Sequence, residues 1–289
     1  MNKILLTGSS GILGSSLLKN LNEEFIFLNL INKKRIEKKF NQIKLKNLDK
    51  NSLKKLVDGF GPDVILHCAA ITDIEFCEKN KKKCKEINYY FTKYLVDICK
   101  KLKIKFIFVS TDQIYNKNYP QKEISTPKIY NYYAETKILC EEYIEKNLTD
   151  YLILRTNFFG NSLADRKSFS DFIINNLKKN NKIYLFKDVY FNPLIIDNFS
   201  ILIKRLISQN SVGKFNVGTN KGISKYNFGL KIAKILNLKS QLIIKDLIVK
   251  RENLSKRSLD MRMNISKIKK IIKNKNLFDL DKNINQLKR

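Results

Sequence analysis

The 289-residue sequence predicts an α/β chain, a doubly wound parallel sheet with a smaller C-terminal α/β lobe. Three observations carry this expectation. Short apolar runs alternate with segments whose apolar residues recur at three- and four-residue steps, the pattern of strand–helix–strand crossovers. The chain opens on an apolar run, a glycine turn and a helical pattern, in that order. Beyond residue 155 the alternation gives way to helical stretches separated by short strands. A chain of this length can bury a full core, as one large domain or two lobes.

Lys3 to Thr7 (KILLT) reads as a short buried strand, Gly8 to Gly11 as a tight loop, and Ile12 to Asn20 as a helix. A strand running through a glycine-rich turn into a helix is a Rossmann-type dinucleotide cradle. The glycines let the backbone approach a pyrophosphate, and the helix N-terminus offers N–H groups and a positive dipole end. The spacing is Gly8-x-x-Gly11-x-x-Gly14. Phe25 to Leu30 is the second strand. Its end faces the adenosine ribose in such folds, where an acid favours NAD and cations accommodate the 2′-phosphate of NADP. Asn32, Lys33, Lys34 and Arg35 follow it with no acid among them, which favours NADPH and leaves NADH open.

Ile43 to Leu45 is a short third strand, and Asn47-Leu48-Asp49 leads into a helix over Asn51 to Asp58. Gly61-Pro62 breaks the chain before a buried strand, Asp63 to Cys68, whose edge carries Ala69 and Ala70. Small residues there let the backbone lie close to a flat ligand. Asn80 to Lys103 reads as one long helix and Ile104 to Val109 as the fifth strand, with Ser110-Thr111-Asp112 at its end. In such sheets the ligand sits beyond the C-terminal strand ends. Tyr133 and Lys137 open a helix running to about Asn147, and Tyr151 to Leu154 is the sixth strand. Residues i and i+4 share a helix face. A Tyr hydroxyl beside a Lys ammonium, near a Ser/Thr hydroxyl, makes a proton-transfer group, because the ammonium favours the phenolate.

Helical patterns follow over Phe169 to Lys179, Asn198 to Ser208 and Ser224 to Leu236, with Ser224 as an N-cap, and strands over Lys182 to Phe186 and Lys214 to Val217. The tail, Lys267 to Arg289, reads as a surface helix with a loosely held end. The expected division is a nucleotide-binding domain over 1–155 and a substrate lobe over 156–289, the second able to return strands or helices to the first.

Lys+Arg 56 against Asp+Glu 27 gives a formal charge of +29. Such a balance can mark a nucleic-acid or membrane surface. Here Lys, Asn and Ile are abundant everywhere, so no nucleic-acid partner is expected, while a positive field still suits an anionic substrate. The five cysteines form no C-x-x-C pair and fall in apolar segments, as reduced thiols do in a cytoplasmic protein. One histidine, His67, and no Cys cluster at zinc spacing argue against a metal site. His67 ends a buried strand and reads as a core residue. No run reaches the roughly 20 apolar residues of a membrane span.

Assembled, these residues resemble the extended short-chain dehydrogenase/reductases, and within them dTDP-4-dehydrorhamnose reductases and their sugar-nucleotide relatives, over nearly the whole length. The matching stretches are Thr7 to Gly14, Ala69 to Glu75, Ile87-Asn88, Ser110 to Asp112, Asn131 to Lys137, Arg155 to Gly160, Asn192 to Leu194 and Arg257 to Met263. Ala134, Leu194 and Ser258 stand where the family has Gly, Thr and Pro, and Leu194 puts the identity of the sugar in doubt. The resemblance implies a nucleotide-sugar substrate and NADPH-dependent reduction of its 4-keto group, as in making rhamnose or related surface-polysaccharide sugars. It implies cofactor contacts from Gly11, Ile12, Leu13, Ala69, Ala70, Tyr133 and Lys137, which join Gly8, Gly14, Lys33, Asn47 and Leu48 from the reading of the glycine loop, the second strand end and the adenine corner. Thr111, Tyr133 and Lys137 would be catalytic, and Thr111, Asp112 and Phe158 would line the sugar site. Relatives include a metal-bridged dimer. No acidic cluster here is assignable to such a metal, and a homodimer stays open. Dehydratases of this class resemble Ser-Thr-Asp-Glu where this chain has Gln113 after Asp112, so that acid–base pair is incomplete. An epimerase, and a non-catalytic regulator like the regulatory subunit of methionine adenosyltransferase, are the rival readings.

Overall fold

A computed structural model describes residues 1–31, 36–45, 49–161, 164 and 167–288. Its centre is a seven-stranded sheet built from β1 (Lys3–Thr7), β2 (Ile26–Ile31), β3 (Gln42–Lys44), β4 (Val64–His67), β5 (Lys105–Thr111), β6 (Tyr151–Thr156) and a late strand, Gly213–Val217. The spatial order is β3-β2-β1-β4-β5-β6 and then the late strand. Neighbours from β3 through β5 pair in parallel, with Leu5 opposite Leu28 on one side and Ile65 on the other. The order reverses between β1 and β4, the crevice where doubly wound sheets bind nucleotides. The fold is therefore the expected Rossmann-like α/β architecture.

The helices follow from local chemistry. In α1 (Ile12–Leu21) the apolar face buries Leu13, Leu17, Leu18 and Leu21. Asp49 caps α2 (Lys50–Phe60) by accepting from the N–H groups of Asn51 and Ser52, and Gly61 closes it at φ 62°, a left-handed C-terminal stop that suits glycine. The predicted long helix is more articulated. A short α3 (Ile74–Lys79), absent from the sequence expectation, precedes α4 (Lys81–Cys84), a π-turn over Lys85–Tyr90 and α5 (Phe91–Leu102). On α5, Phe91, Leu95, Val96, Ile98 and Cys99 pack with Phe106, Phe108 and Ile153 of the sheet and with Cys140 and Ile144 of α6 (Tyr132–Asn147). Each large apolar side chain so buried contributes about 1.5–3 kcal/mol.

Two compact units emerge. One holds Met1–Ser110, Asn131–Leu154 and Leu206–Lys214; the other holds Thr111–Tyr130, Arg155–Arg205 and Phe215–Arg289. The second includes β7 (Phe158–Phe159), α7 (Phe169–Lys178), β8 (Ile183–Phe186), β9 (Tyr190–Phe191) and β10 (Leu194–Ile195). Next come α8 (Ile196–Ser208), whose end passes to the first unit, and β11, the late strand Gly213–Val217, whose start belongs there too. β12 (Ile223–Ser224), α9 (Lys225–Ile235) and β13 (Ile243–Asp246) follow. Phe228 is its aromatic centre, with its ring centroid 5.0 Å from that of Phe159 and 5.4 Å from that of Phe191. Ser224 caps α9 through Asn227 N at 3.1 Å, as expected.

The tail corrects the sequence reading. Instead of a surface helix and a loose end, α10 (Ser266–Ile271) and α11 (Leu280–Asn285) are fixed by Ile268, Phe278 and Ile284, all fully buried. The buried Asn283 side chain accepts from Ile195 N and donates to the carbonyls of Leu277 and Asp279. The Lys-rich composition hid these buried apolar anchors.

Candidate functional site

The glycine loop is closed on itself and against β4. Gly11 N donates to Gly8 O at 2.9 Å, and Gly8 has φ 73°. A Cβ on Gly8 would lie 2.7 Å from Ala69 N, and one on Gly14 only 2.2 Å from Gly8 O. Both positions therefore require glycine. Among the described residues, no side chain caps the N-terminus of α1, and the fully buried Ser9 hydroxyl has no hydrogen-bond partner. An uncapped helix N-terminus beside an orphaned buried hydroxyl fits the pyrophosphate of a dinucleotide. Ile12 and Leu13 open α1, and Ala69 and Ala70 follow β4, half-buried. Lys33, Asn47 and Leu48 lie outside the described residues. At the end of β2, Ile31, Lys38, Phe40, Gln42 and Lys44 line a cleft of about 430 Å³.

His67 ties the cradle strand to its neighbours. Its Nδ1 is 2.6 Å from Thr7 Oγ1 and its Nε2 is 2.9 Å from Thr92 Oγ1. Thr92 already donates to Asn88 O at 2.6 Å, so it must accept from Nε2–H, and Thr7 must donate to Nδ1. The ring is neutral, in one tautomer. Burial pushes its pKa down to about 3, helped by the nearby Lys137 charge. His67 is a satisfied core residue, as its position at the end of a buried strand predicts.

The same ring stacks on Phe108, centroids 5.9 Å apart, and Lys137 Nζ stands 4.2 Å over Phe108. Asn131 caps α6 by accepting from Ala134 N, which sets Tyr133 in the first turn and Lys137 one turn later. Both are buried. Lys137 Nζ donates to Val109 O at 2.7 Å, fixing the helix to the end of β5. Burial lowers the Lys137 pKa. Thiolates of Cys140 and Cys68 would oppose this, but burial pushes both thiols up to about 12, so near neutrality they are uncharged. Glu141, one turn further on, is the carboxylate that favours the ammonium. Ser110 Oγ donates to Glu141 Oε1 at 2.5 Å, and Lys214 Nζ approaches Glu141 Oε2 at 3.8 Å. Ser110 and Glu141 thus make a second tie between α6 and β5. The sequence reading passed over Glu141, although its place four residues after Lys137 was a readable signal.

In the second unit, Thr111 Oγ1 accepts from Gln113 N at 3.2 Å, which leaves its hydroxyl hydrogen to donate elsewhere. Asp112 is buried, with Asn157 Nδ2 at 3.0 and 3.3 Å from its two oxygens. Burial raises its pKa to about 7 against the Asn157 hydrogen bond and the charge of Lys225. Lys225 opens α9. Burial and the neighbouring Arg257 both lower its pKa, while Asp112 opposes them. Phe158 pairs with Leu194 across the β7–β10 ladder. The Arg257 to Met263 segment packs here too: Ser258 Oγ donates to Gln113 O at 2.9 Å and Gln113 Nε2 to Met261 Sδ at 3.0 Å. Asn157 and Lys225 are the groups the sequence did not single out, because nothing local links them to Asp112.

Comparisons with known proteins bear on the fold and the family. A reductase of low-salt glycan biosynthesis, Agl14 of Haloferax volcanii, described as probable, is 24% identical over 82% of this chain and 81% of its own length. The methionine adenosyltransferase 2 subunit beta of Bos taurus is 23% identical over 82% of this chain and 73% of its own length. The crystal structure of a dTDP-4-dehydrorhamnose reductase from Bacillus anthracis, in complex with NADP, superposes with TM-score 0.85 at 20% identity, covering 99% of this chain and 97% of that one. The family model for the RmlD substrate binding domain matches residues 1–279, a span that takes in the glycine loop, α6 and most of the second unit. On that match the chain belongs to the RmlD substrate binding domain family.

Proposed function

We propose that this chain is a reductase that uses NADPH to reduce the 4-keto group of a nucleotide-activated 6-deoxysugar. The observation that carries the reading is Tyr133 and Lys137 on one buried helix, with Lys137 anchored on Val109 O in the unit that holds the glycine cradle. When bound, the nicotinamide supplies the hydride. Gly8, Gly11 and Gly14, with the first turn of α1, hold the pyrophosphate; Ala69 and Ala70 border the cofactor. Tyr133 donates a proton to the developing alkoxide, and Lys137 keeps that phenol acidic and holds the nicotinamide ribose. Thr111 gives the oxyanion a hydrogen bond, and Asp112 and Phe158 line the sugar. Lys38 and Lys44, flanking the cleft at the end of β2, support the 2′-phosphate preference. Five free cysteines support a cytoplasmic setting.

The test is oxidation of NADPH and of NADH against a panel of nucleoside-diphosphate 4-keto-6-deoxysugars that includes dTDP-4-dehydrorhamnose. Oxidation with one sugar and a preference for NADPH is the expected result. Sugar conversion without net cofactor consumption would instead mean an epimerase. Silence across the panel, with tight cofactor binding and a stoichiometric enzyme partner on purification, would favour a regulatory subunit.

A further inference from the structure

Cys77 in α3 and Cys84 at the end of α4 have no part in the reductase reading, yet both are fully buried and their sulfurs lie 2.9 Å apart. A disulfide holds its sulfurs at about 2.05 Å, so closure asks for about 0.85 Å shared between two side chains. The pair has a defined setting. Asn88, on the π-turn that begins right after Cys84, donates through Nδ2 to Cys84 Sγ at 3.3 Å. The same amide reaches Ile71 O at 3.0 Å and Thr136 Oγ1 at 3.1 Å, and its Oδ1 accepts from Ile71 N at 2.8 Å. Thr136 in turn donates to Tyr133 O at 2.8 Å. Cys77, Cys84 and Tyr133 form one apolar cluster, with Ile71, Ile74 and Tyr132 around it. π-turns of this kind concentrate at functional sites.

We propose that Cys77 and Cys84 are an oxidation site that reacts with a peroxide and closes to a disulfide, releasing the Asn88–Thr136 tie beneath Tyr133. Cys84 attacks first. The hydrogen bond between the two sulfurs holds its thiol below the usual range, while the same pairing pushes Cys77 up. Cys84 sulfur takes one peroxide oxygen, the O–O bond breaks, and hydroxide leaves to become water, giving a sulfenic acid. Cys77 sulfur then displaces that oxygen; the S–S bond forms, the S–O bond breaks, and the thiol proton leaves with hydroxide as the second water. Two thiols lose two electrons and one peroxide gains them. Disulfides of cytosolic proteins are usually transient, catalytic or redox-sensing. The effect on Tyr133 rests on the reductase reading; the oxidation site does not.

The experiment treats the full chain with hydrogen peroxide, then digests it without reductant for peptide mass spectrometry. The expected result is a Cys77–Cys84 linked peptide lighter by two hydrogens, with Cys68, Cys99 and Cys140 still thiols. NADPH affinity by fluorescence and turnover on the active sugar are read on the same sample. Either should fall by about tenfold or more and return with dithiothreitol, whereas Cys77→Ser and Cys84→Ser, each compared with itself before and after peroxide, should not change. Absence of the linked peptide overturns the site. A linked peptide with unchanged affinity and turnover overturns its coupling to Tyr133. If no sugar turns over, the mass and affinity readings still decide the proposal, and only the reductase reading falls.

Discussion

His67 in the first unit and Asp112 in the second each stand buried at the end of a sheet strand, and burial drives both towards the neutral form. Their effects on stability run in opposite directions. His67 ionises near 6.5 in an unfolded chain and near 3 in the fold, so between those values the unfolded state binds more protons. Its contribution is complete above pH 6.5 and drains away as pH falls, at about 1.4 kcal/mol per pH unit within that window. Asp112 ionises near 3.8 unfolded and near 7 folded, so there the folded state binds more protons. It costs nothing below about pH 3.8, and the cost grows as pH rises towards 7. The histidine is a framework residue, satisfied by two threonines. The aspartate weakens the fold at working pH, which is the pattern of a group kept for chemistry.

Five substitutions, one of them a control, test that contrast. Tyr133→Phe should lower turnover by about 1,000-fold while NADPH affinity changes by less than about twofold, measured by steady-state kinetics and fluorescence titration. A variant with near-normal turnover would remove the proton-donor role from the first unit. Gly14→Ala brings a Cβ 2.2 Å from Gly8 O and should weaken NADPH binding by about tenfold or more, whereas Gly59→Ala, whose Cβ meets nothing within 4 Å, should leave it unchanged. Equal affinities in the two would sink the cradle assignment. His67→Asn should gain on the parent by about 1.4 kcal/mol per pH unit as pH falls from 6.5 to 4, read as the difference between the two urea-unfolding stability curves, because Asp112 gives both proteins the opposite slope there. A parallel slope in both proteins would mean that His67 is not buried neutral. Asp112→Asn should stabilise the chain by up to about 4 kcal/mol at pH 8 and by little at pH 4, and should remove an ionisation near 7 from the kcat profile. Loss of stability at both pH values would show that the carboxylate is paired rather than tolerated.

The sequence exposes what is built from neighbours along the chain. Gly8, Gly11 and Gly14 recur every third residue because one turn and one helix start need them. Tyr133 and Lys137 follow the helical repeat, and Ser224 precedes its helix. Contacts across long separations leave no such period. Asn157 reaches Asp112 from 45 residues away, and Asn283 meets Ile195 N from 88 residues away. Lys214 pairs with Glu145 at a separation of 69. The Cys77–Cys84 contact hides for another reason: a spacing of seven says nothing until α3 and α4 are known to be separate helices. The tail misled because its lysines stand between its buried anchors, and composition averages over both.

The division of the chain into interleaved segments has a consequence for biosynthesis. The first unit needs Leu206–Lys214 and the second needs residues as late as Ile284, so neither can be completed as a self-contained N-terminal piece. On the ribosome, the glycine loop, α6 and six strands of the sheet are in hand while β11, the second neighbour of β6, is still untranslated. The nascent sheet therefore carries an open edge at β6 until β11 emerges, and a growing chain with an unpaired strand edge is a natural client for a chaperone.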